Sequence, residues 1–177
     1  MGVGDNAMWV AAFTGGTAVF ASWVTNLGNV RAARVQVEAS VQAQHRGRVR
    51  ELRREAYLEL MERAHVTGEL YRRIVDAFHE ISSPDQQLAR LEDLRSELRE
   101  AYAPLMQSVR VVVLEGPSTT AIEAQAVLDA ALKVNRCLWH ITRGDADARA
   151  RFDEVREAYL RRQERFVESA RAAMEAP

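Results

Sequence analysis

The stretch FHEISSPDQQLARLEDL, residues 78–94, contains a break between two helical patterns and sets how the chain folds on either side of it. Ser83 is a residue type favoured at a helix cap, Pro84 suits the first helical position, and Gln86 completes the spacing of a capping box. One helix is therefore predicted to end before Ser83 and a second to begin at Pro84. A connection this short folds the second helix back against the first.

Apolar residues recur at three- and four-residue spacing on both sides of this break, a pattern typical of amphipathic helices. The stripe before the break contains Val49, Leu52, Ala56, Leu60, Ala64, Tyr71, Ile74, Phe78 and Ile81, and the stripe after it contains Leu88, Leu91, Leu94, Leu98, Tyr102, Leu105, Val109 and Val112. Pro104 is expected to kink the second helix, because it cannot donate a backbone hydrogen bond. The run VRVVVLE, residues 109–115, also fits a strand, but helix is favoured because no partner strand is evident.

A third helix is predicted after this run. Gly116 and Pro117 end the second helix, and Thr120 with Glu123 has the spacing of a capping box for the third. The third stripe contains Ile122, Val127, Leu128, Ala131, Val134, Leu138 and Ile141, and a fourth contains Phe152, Val155, Tyr159, Phe166 and Ala170.

The fourth helix is separated from the third by a short polar connection. Gly144 is a natural end for the third helix, and Asp145 or Asp147 places negative charge at the start of the fourth. Four apolar stripes with short connections predict an antiparallel four-helix bundle over residues 49–177, in an all-α chain.

Residues 8–30, MWVAAFTGGTAVFASWVTNLGNV, contain no charged side chain. A bilayer core roughly 30 Å thick needs about 20 mostly apolar helical residues, and this stretch supplies them. Trp9 and Trp23 stand where interfacial aromatic residues usually lie. A transmembrane helix is therefore predicted, with a core helix of a soluble protein as the alternative. A cleaved signal peptide is not favoured, because residues 1–7 lack a basic region.

Positive charge follows this span on its C-terminal side. Arg31 and Arg34 come directly after it, and five more arginines lie within residues 46–54. By the positive-inside rule, residues 1–7 are predicted to lie outside a bacterial inner (cell) membrane and the bundle to be cytoplasmic. Arg31 and Arg34 are the predicted contacts to anionic lipid headgroups, since they lie within a Debye length of roughly 8 Å.

Residues 31–48 are predicted to form a helical stalk between the span and the bundle. The segment RVQVEASVQAQ, residues 34–44, alternates apolar and polar side chains and therefore also fits a strand. Helix is favoured because no turn residue separates this segment from its helical neighbours.

Small residues recur at four-residue spacing within the span and indicate a surface where membrane helices can approach closely. Ala11 and Gly15 lie on one ridge, and Ala18 and Ser22 lie on a neighbouring ridge. These four residues are the predicted helix-packing site.

Motifs for catalysis, cofactors and metals are weak in this chain. Glu62 and His65 form one E-x-x-H step, but a di-metal site in a bundle needs a second step and further inward carboxylates. Cys137 and His140 are neighbours on a helix without an orienting acid, so Cys137 is interpreted as a small buried hydrophobe. With 24 basic and 25 acidic residues, no global field favours nucleic acid. No enzyme activity, cofactor, metal or nucleic-acid partner is predicted.

The segment RREAYLEL, residues 53–60, carries the pattern R-R-x-A-Y-x-x-L. A second pattern, V-x-L-x-G-P, contains Val112, Leu114, Gly116 and Pro117. Together with the apolar span and the arginine-rich stalk, these motifs make the chain resemble a group of uncharacterised actinobacterial membrane-anchored helical-bundle proteins. The resemblance implies the fold and the anchoring, and it carries no site. From packing alone, Tyr57 is expected at the edge of the core.

The main expectation is a single-pass membrane-anchored bundle that acts by protein–protein interaction or scaffolding, with itself or another protein as partner. Two alternatives remain. Polar and glycine residues at 14–17 and Asn26 within the span fit an oligomeric membrane effector or channel-like protein. A pocket in the bundle near Pro104 and Trp139 would fit a small-molecule sensor.

Overall fold

The computed structural model describes the backbone of residues 4–175 and the side chains of residues 40–42, 44–145 and 147–175. This part of the chain forms four helices and no strand, which confirms the predicted all-α class. The helices are α1 (Gly4–Glu80), α2 (Pro84–Glu115), α3 (Ser118–Ile141) and α4 (Ala146–Glu175). The two stretches for which a strand was the alternative, residues 34–44 and 109–115, lie within helices α1 and α2.

The chain divides into two compact units, residues 1–49 and residues 50–177. The second unit carries the hydrophobic core, to which all four helices contribute. Its largest fully buried side chains are Tyr71, Tyr159, Phe152, Phe166, Leu60, Ile74, Leu94, Leu105 and Leu138. All of them belong to the apolar stripes predicted from sequence.

Aromatic rings join α1 to α4 through three edge-to-face pairs. The ring centroids lie 6.1 Å apart for Tyr57 and Phe166, 5.1 Å for Tyr71 and Tyr159, and 5.6 Å for Phe78 and Phe152. Rising numbers in α1 meet falling numbers in α4, so these two helices run antiparallel. Edge-to-face geometry adds about 0.5–1.5 kcal/mol per pair beyond the burial of apolar area.

Helices α1 and α2 are also antiparallel. Arg53 near the start of the second unit donates from Nε to the carbonyl of Glu115 at the end of α2, at 2.7 Å. Further along α1, Arg73 contacts both carboxylate oxygens of Glu97, at 2.6 and 3.1 Å. The order of these contacts reverses between the two helices, as expected for a helical bundle with short connections.

Capping at the connection of residues 81–83 differs from the sequence prediction. Pro84 begins α2 as predicted, but the Ser83 side chain makes no capping hydrogen bond. The amide of Gln87 instead donates to carbonyls at the end of α1, those of Ala77 and Phe78 at 3.3 Å and that of Ile81 at 3.1 Å. The predicted capping box is therefore wrong, and Gln87 supplies the side-chain hydrogen bonds at this connection.

The predicted capping box of α3 is also wrong. The helix begins at Ser118, and Thr120 lies inside it with no exposed surface. The Thr120 hydroxyl lies 3.1 Å from Oγ of Ser169 on α4, so a tertiary contact takes the place of a cap. At the next junction, Gly144 has a φ of +84°, and Asp145 caps α4 by accepting a hydrogen bond from a backbone amide.

Three residues predicted for the core are exposed instead. Leu52, Leu88 and Ile122 are 47, 41 and 67% exposed. Leu88 and Ile122 lie near the starts of α2 and α3, and Leu52 lies near the start of the second unit. The spacing of apolar residues identifies the buried face of a helix. It does not show which turns extend beyond the neighbouring helices and are exposed there. Tyr57 shows the opposite error, since it is only 4% exposed although it was expected at the edge. Its ring packs on Phe166 and lies close to the end of α2.

Candidate functional site

The predicted membrane features lie outside the residues whose side chains the structure describes. These features are the span at residues 8–30, its packing residues Ala11, Gly15, Ala18 and Ser22, and the headgroup contacts Arg31 and Arg34. Within residues 40–42, 44–145 and 147–175, no helix is long and apolar enough to cross a membrane. The membrane features therefore stay predictions.

The residues of the weak catalytic and metal motifs all lie within the described part of the chain. Glu62 and His65 are both exposed, and the described side chains contain no group of three or more His, Cys, Asp or Glu that could hold a metal ion. Cys137 is buried and donates from Sγ to the carbonyl of Ala148 at 3.0 Å. Burial raises the pKa of this thiol, which disfavours the reactive thiolate. Cys137 is thus a small buried side chain, as interpreted from sequence.

A surface groove of about 280 Å³ lies between α2 and α3. It is lined by Arg95, Leu98 and Arg99 from one turn of α2, and by Leu132, Asn135, Arg136, Leu138 and Trp139 from two turns of α3. Leu98 and Leu138 are buried and form the floor, while the arginines stand at the rim. We call this feature the arginine groove. Spacings of three and four residues bring these side chains to one side of each helix.

The charge of the arginine groove is not neutralised by the described side chains. Arg95 donates to the hydroxyl of Thr142 at 3.4 Å, and Arg99 donates to the hydroxyl of Ser96 at 3.5 Å. Neither of them, nor Arg136, forms an ion pair with a carboxylate of the described residues, although Arg73 on α1 does so with Glu97. Guanidinium groups match the planar, two-oxygen geometry of carboxylates. Three of them around an apolar floor suit an acidic ligand with an apolar part.

Trp139 gives the groove an aromatic wall. Its side chain is 37% exposed, and the guanidinium carbon of Arg143 lies 4.5 Å from the ring centroid. Tryptophan and arginine are the residue types that contribute most energy at protein interfaces, because they combine large contact area with directional polar groups. This wall thus combines a partly exposed tryptophan with arginines that lack carboxylate partners among the described residues, a composition typical of contact surfaces.

The α3 wall is held in place by the core. The buried hydroxyl of Tyr71 on α1 lies 3.0 Å from Oδ1 of Asn135 and 3.1 Å from the carbonyl of Ala131. Burial raises the pKa of Tyr71 well above its usual value, so this hydroxyl stays neutral and keeps its hydrogen. A wall anchored in this way needs little rearrangement when a ligand enters, which lowers the entropic cost of binding.

A second groove, of about 310 Å³, lies between α1 and α2 and has the opposite charge. Its lining contains Leu52, Ala56, Ser108 and Val111, together with the carboxylates of Glu55, Glu59 and Glu115. The same bundle thus presents an apolar groove with an acidic rim and another with a basic rim.

Sequence reasoning found Trp139 but missed its neighbours. It placed a pocket inside the bundle near Pro104, whereas the groove beside Trp139 is at the surface and Pro104 does not line it. One local signal was present. Neither Arg99 nor Arg136 has an acidic residue three or four positions away in the chain, so neither can form the usual pairing along a helix.

Comparisons of this chain with known protein families, with curated proteins and with solved structures found no match.

Proposed function

We propose that this protein is a single-pass membrane-anchored helical bundle that acts by binding another protein, and that it does so without catalysis. The anchor rests on the uncharged stretch at residues 8–30 and the arginines that follow it. The binding function rests on the arginine groove. In this proposal the bundle is cytoplasmic and packs as an antiparallel four-helix unit.

The single observation that supports the binding function is an apolar floor flanked by arginines that have no carboxylate partner among the described residues. Arg99 and Arg136 stand on opposite walls, and Leu98 with Leu138 lies between them. An amphipathic helix with leucines and acidic residues on one face fits this arrangement, because its apolar side chains reach the floor while its carboxylates meet the walls. The bound partner segment is therefore an acidic amphipathic helix.

Nucleic acid fits this groove less well than an acidic helix. Glu92 and Asp129 are exposed and lie three residues before Arg95 and Leu132, one turn away from the lining. A phosphate backbone that continues past the groove would meet these carboxylates. A short amphipathic helix can place its own charges between them.

Peptide binding tests the proposed function. The probe is a fluorescein-labelled helical peptide of about 20 residues, long enough to form a helix on docking, with leucine and glutamate on one face. Fluorescence anisotropy with the full chain should show binding that weakens about tenfold or more in the R99E/R136E variant, because both walls then repel the glutamates. Binding of a matched peptide with lysine in place of glutamate should not weaken in that variant.

The matched control is the R165E/R171E variant, which reverses two exposed arginines on α4 away from the groove. It should bind the acidic peptide like the wild type. Unchanged binding of the acidic peptide in R99E/R136E, or equal loss in both double variants, would overturn the role of the groove.

Membrane fractionation tests the anchor separately. The full chain should stay in membranes washed at alkaline pH, whereas a chain that starts at Arg31 should be released. A full chain that appears in the soluble fraction would remove the membrane part of the proposal and leave the binding part standing.

A further inference from the structure

The geometry points to a second copy of this chain as the occupant of the arginine groove, through an acidic face of α1. This inference rests on the proposed binding function and names its partner. The face consists of Glu55, Leu58, Glu62 and Val66, which we call the acidic ridge. Head-to-tail assembly follows when the ridge of one copy lies in the groove of the next.

The acidic ridge has the composition that the groove requires. A rotation of 100° per residue places its four side chains within an arc of about 80° on α1. Leu58 and Val66 are 52 and 45% exposed, which is high for large apolar side chains. Glu55 and Glu62 are exposed on the same face. The ridge therefore presents apolar and acidic groups together.

The carboxylates of the ridge lack partners within the described part of their own chain. Neither Glu55 nor Glu62 forms an ion pair there, whereas the nearby Glu59 accepts from Nε of Arg63 at 2.8 Å. Arg99 and Arg136 are in the same situation at the groove. The chain as a whole is almost neutral, with a formal net charge of −1, so the two patches are local excesses of opposite sign.

The two surfaces also match in length. Leu58 and Val66 are eight residues apart, which is about 12 Å along a helix, and Leu132 and Trp139 are seven residues apart, which is about 10.5 Å. Glu55 and Glu62 are separated by two turns as well. A helix lying along the groove can therefore seat both apolar side chains while each carboxylate reaches a guanidinium on a wall.

The interface inferred here joins two different surfaces, one on α1 and one between α2 and α3. Such a contact leaves a free ridge at one end of a pair and a free groove at the other. Assembly therefore continues beyond the dimer as the concentration rises. A symmetric two-fold dimer would stop at two copies.

Charge reversal on the full chain tests this inference. Analytical ultracentrifugation in a mild detergent should show wild-type oligomers that grow with concentration and shrink at high salt, because screening weakens exposed charge pairs. The R99E/R136E variant should be monomeric, since an acidic groove repels the acidic ridge. The E55R/E62R variant should also be monomeric, since a basic ridge repels the basic groove.

An equimolar mixture of the two variants is the decisive sample. The reversed groove of one variant and the reversed ridge of the other carry opposite charges, so mixing should restore oligomers with alternating copies. The control variants R165E/R171E and E164R/E168R, both on exposed positions of α4, should associate like the wild type. Oligomers that persist in both single samples, or a mixture that stays monomeric, would overturn the inference.

Peptide binding separates this result from a failure of the proposed function. The E55R/E62R variant keeps an intact groove that no neighbouring copy occupies, so it should bind the acidic peptide at least as tightly as the wild type. This binding also shows that the variant is folded. Peptide binding without self-association would overturn only the identity of the partner. Loss of both in the wild type would overturn the groove as a binding site.

Discussion

Two helix pairs of the bundle differ in how they pack: α1 and α4 form a closed interface, whereas α2 and α3 leave a groove. The α1–α4 interface is closed by three aromatic pairs, and the Tyr159 hydroxyl donates across it to the carbonyl of Ala64 at 2.7 Å. The α2–α3 groove leaves Trp139 half-exposed and its arginines without carboxylate partners among the described residues. We infer that the first interface supplies stability and the second is kept open for contact with a partner.

The largest expected difference between the two regions comes from truncating one aromatic ring in each. Phe152 is 1% exposed and packs on Phe78, so Phe152→Ala should lower the free energy of unfolding by about 3–5 kcal/mol. Trp139→Ala should cost about 1 kcal/mol or less, since that ring is partly in water. Urea denaturation followed by circular dichroism measures both. Similar losses in the two variants would contradict the division of roles.

Alkaline pH should weaken the α1–α4 interface through its tyrosines. Burial raises the pKa of Tyr71 and of Tyr159 above the usual value in the folded state. A tyrosine in the unfolded chain ionises at about pH 10. The stabilisation by these two buried tyrosines is therefore fully present below that pH and is lost as the pH rises above it. In the Y71F/Y159F variant this alkaline loss should be smaller, and stability at neutral pH should fall by about 1–2 kcal/mol per hydrogen bond removed.

Thermal unfolding between pH 7 and 11 measures this effect. An alkaline loss of the same size in the variant and the wild type would show that other groups control it.

Gly68 offers a smaller change in the same interface. A Cβ at this position would lie 3.8 Å from the Tyr159 ring and 3.9 Å from Gln163, which is ordinary contact distance. Gly68→Ala should therefore stabilise the protein by about 0.5–1 kcal/mol, because alanine restricts the unfolded chain and favours the helix. Gly116→Ala should destabilise instead, since its Cβ would lie 2.8 Å from the carbonyl of Val112. The midpoint of thermal unfolding should move in opposite directions for the two variants.

The smallest stability effect is expected in the arginine groove itself. The R99E/R136E variant should change the free energy of unfolding by no more than about 0.5 kcal/mol, because neither side chain loses a charged partner within the described part of the chain. Arg73→Ala, which removes the half-exposed pair with Glu97, should cost about 0.5–1 kcal/mol. Chemical denaturation measures the free energy of unfolding of both variants. A large loss in R99E/R136E would mean that the groove is structural.

The core could be predicted well because burial follows a local pattern. Leu60, Ile74, Leu94 and Leu138 are buried where their stripes place them. Errors occurred where a neighbouring helix decides the outcome. Leu52 has the spacing of a core residue, but it is 47% exposed near the end of the bundle.

Capping motifs were less reliable for a related reason. Ser83 and Thr120 both have the right spacing for a capping box, yet neither makes the capping contact. The Thr120 hydroxyl contacts Ser169 on α4 instead, and at the first connection Gln87 donates to carbonyls at the end of α1 while Ser83 makes no capping bond. A capping motif includes only residues that are close in sequence. The folded protein also brings side chains from other helices within hydrogen-bonding distance.

Sequence alone determined the four helices, their connections and most of their buried faces, because helix periodicity and the break residues act within a few positions of the chain. Only the tertiary structure decided which polar residues meet. Arg99 and Arg136 belong to different helices and share a groove because Leu98 and Leu138 pack between them. Each of these arginines lacks an acidic residue one turn away on its own helix. Helix packing brings the two together on one surface, and we expect the partner to bind there.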